Sequence, residues 1–206
     1  LPAQEIKGSL LMVDIIKQAI RAWQTVLAEP VTIRVDGTPF AVTPQMTRRA
    51  RGRARASRRP HNRARQIFHD KLVEEIVNAY AAEIGTDPTQ PDRPGLLLSA
   101  SDYADLTEDL LNSPEVQALV EDNWPILTAP QVVERLLTDR RHLEEASHTI
   151  LSDDDVDYLL RAKDSPFTVP DVPLLDEAAE QLGRPPRPRK ATACLLYTSD
   201  AADDLL

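Results

Sequence analysis

The sequence predicts a mainly α-helical protein with one small β-hairpin at about residues 31–42. Three observations carry this expectation. Only 4% of the 206 residues are aromatic, while Ala, Leu, Arg, Asp and Glu abound. Apolar residues recur at three- and four-residue steps over most of the chain, which is the period of one helix face. A single stretch alternates at period two around an Asp-Gly pair, a strong short-range hairpin signal. The length suffices for one large or two small domains with a real core.

Taken in order, Ser9 to about Ala28 reads as a helix. Ser9 is its expected cap, Val13, Ile16, Ile20, Trp23 and Leu27 form its apolar stripe, and Pro30 ends it. Val31, Ile33 and Val35 then alternate with polar residues, Asp36-Gly37 supplies the turn, and Phe40 and Val42 return. Thr43-Pro44 restarts helix. Pro60 closes the segment that follows, and Asn62 is the expected cap of the longest helix. There Phe68, Leu72, Ile76, Tyr80 and Ile84 fall at four-residue steps flanked by Val73 and Val77, and Gly85 is the expected stop. Residues 86–95 form a proline-rich connection without periodicity.

Beyond it a series of short capped helices is expected. Ser101 or Asp102 opens one with Leu106, Leu110 and Leu111. Ser113-Pro114 opens the next with Val116, Leu119 and Val120. Trp124-Pro125 breaks the chain, and Thr128 with Pro130 starts a helix carrying Val133, Leu136 and Leu137. Ser152 caps another whose first turn holds Asp153, Asp154 and Asp155, favourable to the helix dipole. The spacing Asp153-x-Asp155-x-Asp157 resembles a calcium loop, but the glycine required at its sixth position is Tyr158.

The run FTVPDVPLLDEAAEQLG, Phe167–Gly183, has two readings. An apolar strand ending in Asp176-Glu177 would resemble the Mg²⁺-holding strand of a nucleotide-hydrolysing motor. Pro173 lies inside that run and cannot donate to a central sheet ladder. A helix accounts for the same residues, with Asp171 near its N-cap, Pro173 in its first turn and Gly183 at its stop. Leu174, Leu175, Ala178 and Leu182 then share one face, leaving Asp176, Glu177 and Glu180 towards solvent.

The net charge of −9 conceals an asymmetry. Residues 1–95 hold 15 Lys and Arg against 10 Asp and Glu, and residues 96–206 hold 9 against 23. Two faces with different partners, or solubility alone, would account for it. The basic excess is concentrated in Arg48, Arg49, Arg51, Arg53, Arg55, Arg58, Arg59, Arg63 and Arg65, with no acid between the first and the last. Such density invites phosphate or an acidic protein surface, and these nine are the candidate contacts to a partner or nucleic acid. The alternative is a solvated, partly frayed arm. No aromatic residue is interleaved, which argues against a single-strand stacking platform.

Chemistry of the catalytic kind is missing from the pattern. There is no G-x-x-x-x-G-K-[ST] phosphate loop, no H-E-x-x-H pair among His61, His69, His142 and His148, and no G-x-S-x-G elbow. One cysteine, Cys194, excludes an internal disulfide framework and a multi-cysteine zinc site. No catalytic, cofactor-binding or metal-ligating residue is therefore assigned to this chain. No apolar run reaches membrane-spanning length and no signal peptide is expected, so no membrane partner is expected and the cytoplasm is the expected compartment. The opening Leu1-Pro2-Ala3 points to a truncated reading frame. Residues 184–206 are expected to be disordered. From Cys194 the chain reads CLLYTSDAAD, the translation of a transposon-end sequencing adapter, and 194–206 is set aside as foreign sequence. The expected organisation is 1–85 (helix, hairpin, basic arm, long helix), 86–95 as connection, and 96–183 as an acidic multi-helix region.

Four stretches in order, IKGSLLMVDIIKQAIRAWQ (Ile6–Gln24), RPHNRARQIF (Arg59–Phe68), WPILTAPQVVERLL (Trp124–Leu137) and FTVPDVPLLDEAAEQLG (Phe167–Gly183), resemble the actinobacterial HelD-type RNA polymerase-recycling motor ATPases, relatives of the UvrD/Rep superfamily 1 helicases. The resemblance covers roughly residues 1–190 and is one of pattern rather than of tight motifs. It implies a helical insertion domain lying between the Walker A loop and the Walker B strand of a larger ATPase. In that family the insertion pushes against RNA polymerase, opens its clamp and releases nucleic acid, driven by ATP and Mg²⁺ bound elsewhere in the parent protein. The family's channel-probing loop would follow Gly183, so no contact residue is carried over. Two further readings stand beside it: a nucleic-acid-binding accessory domain of a UvrD-like helicase, and a free-standing helical scaffold.

Overall fold

The computed structural model describes residues 2–84 and 99–185. Gly85, the proline-rich connection at 86–95 and the adapter-like tail from Cys194 lie outside the described residues, as does all of the expected disordered segment except Arg184 and Pro185. Among the described residues the fold is mainly α. Its helices are α1 (Pro2–Lys7), α2 (Leu11–Ala22), α3 (Pro44–Ala56), α4 (His61–Ile84), α5 (Ala100–Asn112), α6 (Pro114–Asn123), α7 (Ala129–Thr138), α8 (Arg140–Ala146), α9 (Asp153–Leu159) and α10 (Val172–Leu182). The strands β1 (Val31–Val35) and β2 (Thr38–Val42) make the one small sheet among the described residues.

The hairpin forms as its pattern dictates. Val35 pairs with Thr38 across a two-residue turn, in which Asp36 and Gly37 both take positive φ. Such a turn matches the twist of the flanking strands. Ile33, Val35, Phe40 and Val42 point inward on one face. They meet the α4 seam of Phe68, Leu72, Val73, Ile76, Val77 and Tyr80, with Phe40 edge-on to Tyr80 at 5.8 Å between ring centroids. α6 adds Val116, Leu119 and Val120, and Trp124 closes this first core.

The second core joins the two ends of the described residues. Met12, Ile15, Ile16, Ala19 and Ile20 of α2 pack with Val132, Val133, Leu136 and Leu137 of α7, Leu143 of α8, Val156 and Leu159 of α9, and Leu174, Ala178 and Leu182 of α10. The chain thus begins in the second core, builds the first from the hairpin to Trp124, and returns. This division differs from the one read from composition. Residues 1–85 supply both cores, while α4 and α5, on either side of the proline-rich connection, contribute to the same one.

The first turn of α4 is where the cores meet. Asn62 was expected as a cap, but it lies inside the helix and is buried. Its Nδ2 donates to the carbonyls of Leu127 (2.9 Å) and Gly183 (3.1 Å), and its Oδ1 accepts from the Leu127 N–H (3.0 Å). Gly183 has φ +67°, and a Cβ there would stand 2.7 Å from the Pro60 Cβ. Both the backbone angle and the close approach call for glycine.

Several caps fall where the sequence places them: Thr43 for α3, Ser113 for α6 and Ser152 for α9, each accepting from a first-turn N–H. Others move. Ser99 rather than Ser101 or Asp102 caps α5, with Asp102 completing a capping box. The helix expected from Ser9 is α2, preceded by an additional short helix, α1, that was not expected. Ser9 makes no side-chain cap, and the Met12 N–H bonds to its backbone carbonyl. α2 also ends early, at Ala22 instead of Ala28. There the Arg21 and Gln24 carbonyls are taken by Arg55 and Arg51, and the Thr25 N–H is taken by the Asn123 carbonyl at 2.9 Å. Tertiary partners thus supply the bonds that a longer helix would have made.

α10 confirms the helical reading of Asp176-Glu177. Asp176 is exposed and Glu177 accepts from Gln181 at 2.6 Å, one turn on. Asp171 stands at the N-cap position of α10 as expected, but its side chain makes no cap bond there. Fully buried, it instead completes the capping box of the 3-10 turn Val169–Asp171, accepting from the N–H (2.8 Å) and hydroxyl (2.9 Å) of Thr168, the residue at the cap position of that turn. The three aspartates of the calcium-like spacing sit on α9, where Asp155 accepts from the Ser152 N–H and Asp157 pairs with Arg140.

Candidate functional site

The arginine run is divided between three elements rather than forming a frayed arm. α3 carries Arg48 to Arg55 and docks on α4, the α3–α4 turn holds Arg58 and Arg59, and the start of α4 holds Arg63 and Arg65. Thr47, Ala50 and Ala54 fall at three- and four-residue steps on the inner face of α3 and are buried. Small residues at these positions let the two helices approach closely, and the arginines are displaced to the remaining faces.

The nine arginines then divide by what they touch. Arg49 pairs with Glu75 of α4 at 3.1 Å. Arg65 donates to the Trp124 carbonyl (2.9 Å) and pairs with Glu121 (2.8 Å). Arg51 donates to the Gln24 carbonyl at 3.1 Å. Arg55 places its Nε on Gln24 Oε1 (2.7 Å) and its Nη2 on the Arg21 and Gln24 carbonyls. These four are bonded within the fold, Arg49 through an exposed ion pair and the other three to backbone carbonyls. The side chains of Arg48, Arg53, Arg58, Arg59 and Arg63 are exposed and make no hydrogen bond or ion pair among the described residues.

Two of the five, Arg58 and Arg59, lie in the α3–α4 turn and border a cleft of about 580 Å³. α2 forms the opposite wall. Val13, Lys17 and Arg21 follow one another at four-residue steps there, which puts both cations on the face turned to the cleft. Arg55 completes a set of five cations, against one carboxylate lining the cleft, Glu180 of α10. Burial, then the neighbouring charges of Arg51 and Arg21, lower the Arg55 pKa from its ordinary value. An arginine remains charged throughout the working range even so. The arrangement can hold an anion. Lys17, Arg21 and Glu180 escape a sequence reading centred on the arginine run, because three elements distant in sequence bring them together.

The floor of the cleft is a relay of hydrogen bonds. Arg55 Nε–H donates to Gln24 Oε1, Gln24 Nε2–H donates to His61 Nδ1 (3.1 Å), and His61 Nε2–H donates to the Pro125 carbonyl (2.8 Å). The arginine fixes the amide orientation, and the amide fixes the neutral imidazole tautomer. Burial pushes the His61 pKa down to about 4, with the Pro125 carbonyl opposing and the Arg65 charge adding to the depression. In the unfolded chain it titrates near the ordinary histidine value of 6.5.

Between those values the unfolded state binds more protons, so stability falls as pH falls. The contribution is fully present above about pH 6.5 and lost as pH drops through about 4, a loss of up to about 3 kcal/mol. Urea unfolding at a series of pH values checks this. The His61→Gln variant should show a slope flatter than the parent by about 1 kcal/mol per pH unit between about pH 6.5 and 5. Equal slopes would remove His61 from the account.

Among the described residues no group of three or more His, Cys, Asp or Glu side chains is placed to hold a metal ion, and no helix is long and apolar enough to cross a membrane. Fold and site define a mainly helical protein with a basic cleft. No protein-family model and no curated protein matches the chain.

Proposed function

We propose that the chain is a non-catalytic helical interaction module, the insertion domain of a cytoplasmic HelD-type ATPase, which binds RNA polymerase so that the parent motor can open its clamp and release nucleic acid. ATP and Mg²⁺ belong to the parent in this reading. Support comes from the ordered resemblance of the four stretches and from α10, where Asp176-Glu177 stands on a helix rather than at the end of a metal-holding strand. The observation that carries the contact surface is the set of exposed, unpaired arginines on α3 and α4, which offers a positive field to a partner with acidic surface.

The same surface favours a second reading, a nucleic-acid-binding accessory domain, because unpaired arginines are also what phosphates recruit. Arg48, Arg53 and Arg63 make the sharper test, since replacing Arg49, Arg51, Arg55 or Arg65 would break internal bonds. The chain and its Arg48→Ser/Arg53→Ser/Arg63→Ser variant are titrated against core RNA polymerase and duplex DNA at low and moderate salt. Polymerase binding should survive moderate salt and weaken roughly tenfold in the variant, while DNA binding should be weak and lost early as salt rises. Tight DNA binding without polymerase binding would replace the first reading by the second.

A further inference from the structure

The cleft between α2, the α3–α4 turn and α10 is not lined by Arg48, Arg53 or Arg63, and its chemistry is more specific. Five cations line it and one carboxylate answers them. Arg55, which lines the cleft as an exposed residue of α3, is already oriented. Arg55 is held through Nε and Nη2, which leaves Nη1 uncommitted. Arg58 sits in the turn with φ +54°, a left-handed conformation uncommon for a residue with a side chain. Strained backbone of this kind tends to accompany a functional constraint.

We propose that this cleft binds the phosphate chain of a small oligophosphate, with Arg55 as the fixed contact and Lys17, Arg21, Arg58 and Arg59 closing around it. Its volume of about 580 Å³ suits a small ligand rather than a duplex. Guanidinium groups match phosphate oxygens in fork geometry, and the surplus of positive charge suits a di- or triphosphate better than a single phosphate. The aromatic rings at the floor, Trp124 and His61, are buried and already stacked on each other at 5.4 Å, so no face is open to stack a base. The cleft therefore reads phosphate and not the group attached to it. Filling it would also relieve the mutual repulsion of Arg55, Arg51 and Arg21.

The test is calorimetric titration of the full chain with sodium tripolyphosphate and, separately, with metal-free ATP. Arg58→Asn/Arg59→Ser is the cleft variant, because asparagine tolerates the left-handed conformation. Arg48→Ser/Arg53→Ser is the control, since neither residue lines the cleft. Saturable binding of tripolyphosphate is expected, with ATP of similar affinity. The cleft pair should lose about tenfold or more at an unchanged Tm, and the control pair should lose little.

Absence of saturable binding overturns the proposal. So does an equal loss from both pairs, which would mark a diffuse field. Binding of ATP without tripolyphosphate also overturns it, because the base or ribose would then be the recognised group. The polymerase reading rests on the other arginines and stands or falls independently.

Discussion

Replacing Trp124 by alanine should cost about 4 kcal/mol of stability, enough to unfold a large fraction of a marginally stable domain. Trp124 is fully buried and lies between two rings, His61 at 5.4 Å and Phe68 at 5.5 Å, both near parallel to it. Its Nε1–H donates to the His61 carbonyl at 3.0 Å, and its own carbonyl receives Arg65 Nε at 2.9 Å. Alanine would remove both ring contacts and leave a cavity at the first turn of α4, next to the Asn62 bonds that join the cores. Trp124→Phe keeps a ring and loses the hydrogen bond, so about 1 kcal/mol is expected. Urea unfolding followed by far-UV circular dichroism reads both. A Trp124→Ala midpoint indistinguishable from the parent would mean that the junction does not bear on global stability.

The parts of the fold that were legible in the sequence are those whose causes are local. Asp36-Gly37 specifies the hairpin turn, the four-residue steps from Phe68 specify the buried face of α4, and Pro173 with Gly183 brackets α10. Where a segment's bonds are completed by a distant partner, the local pattern misleads. The apolar steps at Trp23 and Leu27 extend α2 on paper, but Arg51, Arg55 and Asn123 take the backbone groups that would have continued it.

α8 was missed although it left local signals. Asp139 accepts from the His142 N–H, and Arg140–Glu144 and Arg141–Glu145 are four-residue ion pairs. The arginine run was visible as charge, yet its division into bonded and free members was not. That division depends on Gln24, Glu75 and Glu121, none of which lies within the run. The pairing of α2 with α7, α8 and α10 has no local signature at all, because every amphipathic helix presents a similar stripe.

The second large effect is expected at Asp171, whose replacement by asparagine should cost about 3–5 kcal/mol. The carboxylate is fully buried and accepts from Lys7 Nζ at 2.6 Å and Arg161 Nη1 at 3.0 Å, as well as from the two Thr168 donors. Burial alone would raise its pKa. The Lys7 hydrogen bond, followed by those from Thr168, outweighs burial and holds it below the ordinary carboxylate range.

The stability it contributes is therefore present above the ordinary carboxylate pKa and lost as pH falls through the lower folded value. Asparagine removes it at every pH. It also strands two cations whose side chains are only 11% and 14% exposed. Arg161 is the worse placed, since its Nε and Nη2 are already buried without partners and its other supports are the Pro166 carbonyl at 3.2 Å and the face of Phe167 at 4.8 Å. Lys7→Met, which leaves Arg161 and Thr168 on the carboxylate, should cost less than Asp171→Asn.

In the double variant Lys7→Met/Asp171→Asn the two losses should not add, because removing Lys7 relieves one stranded charge. Simple additivity, or a loss below about 1 kcal/mol for Asp171→Asn alone, would show that the pair is no more than a solvated surface bridge. Because Asp171 binds the end of α1 to the start of α10, the single variant should also expose residues 2–7 to limited proteolysis before the rest of the chain is cut.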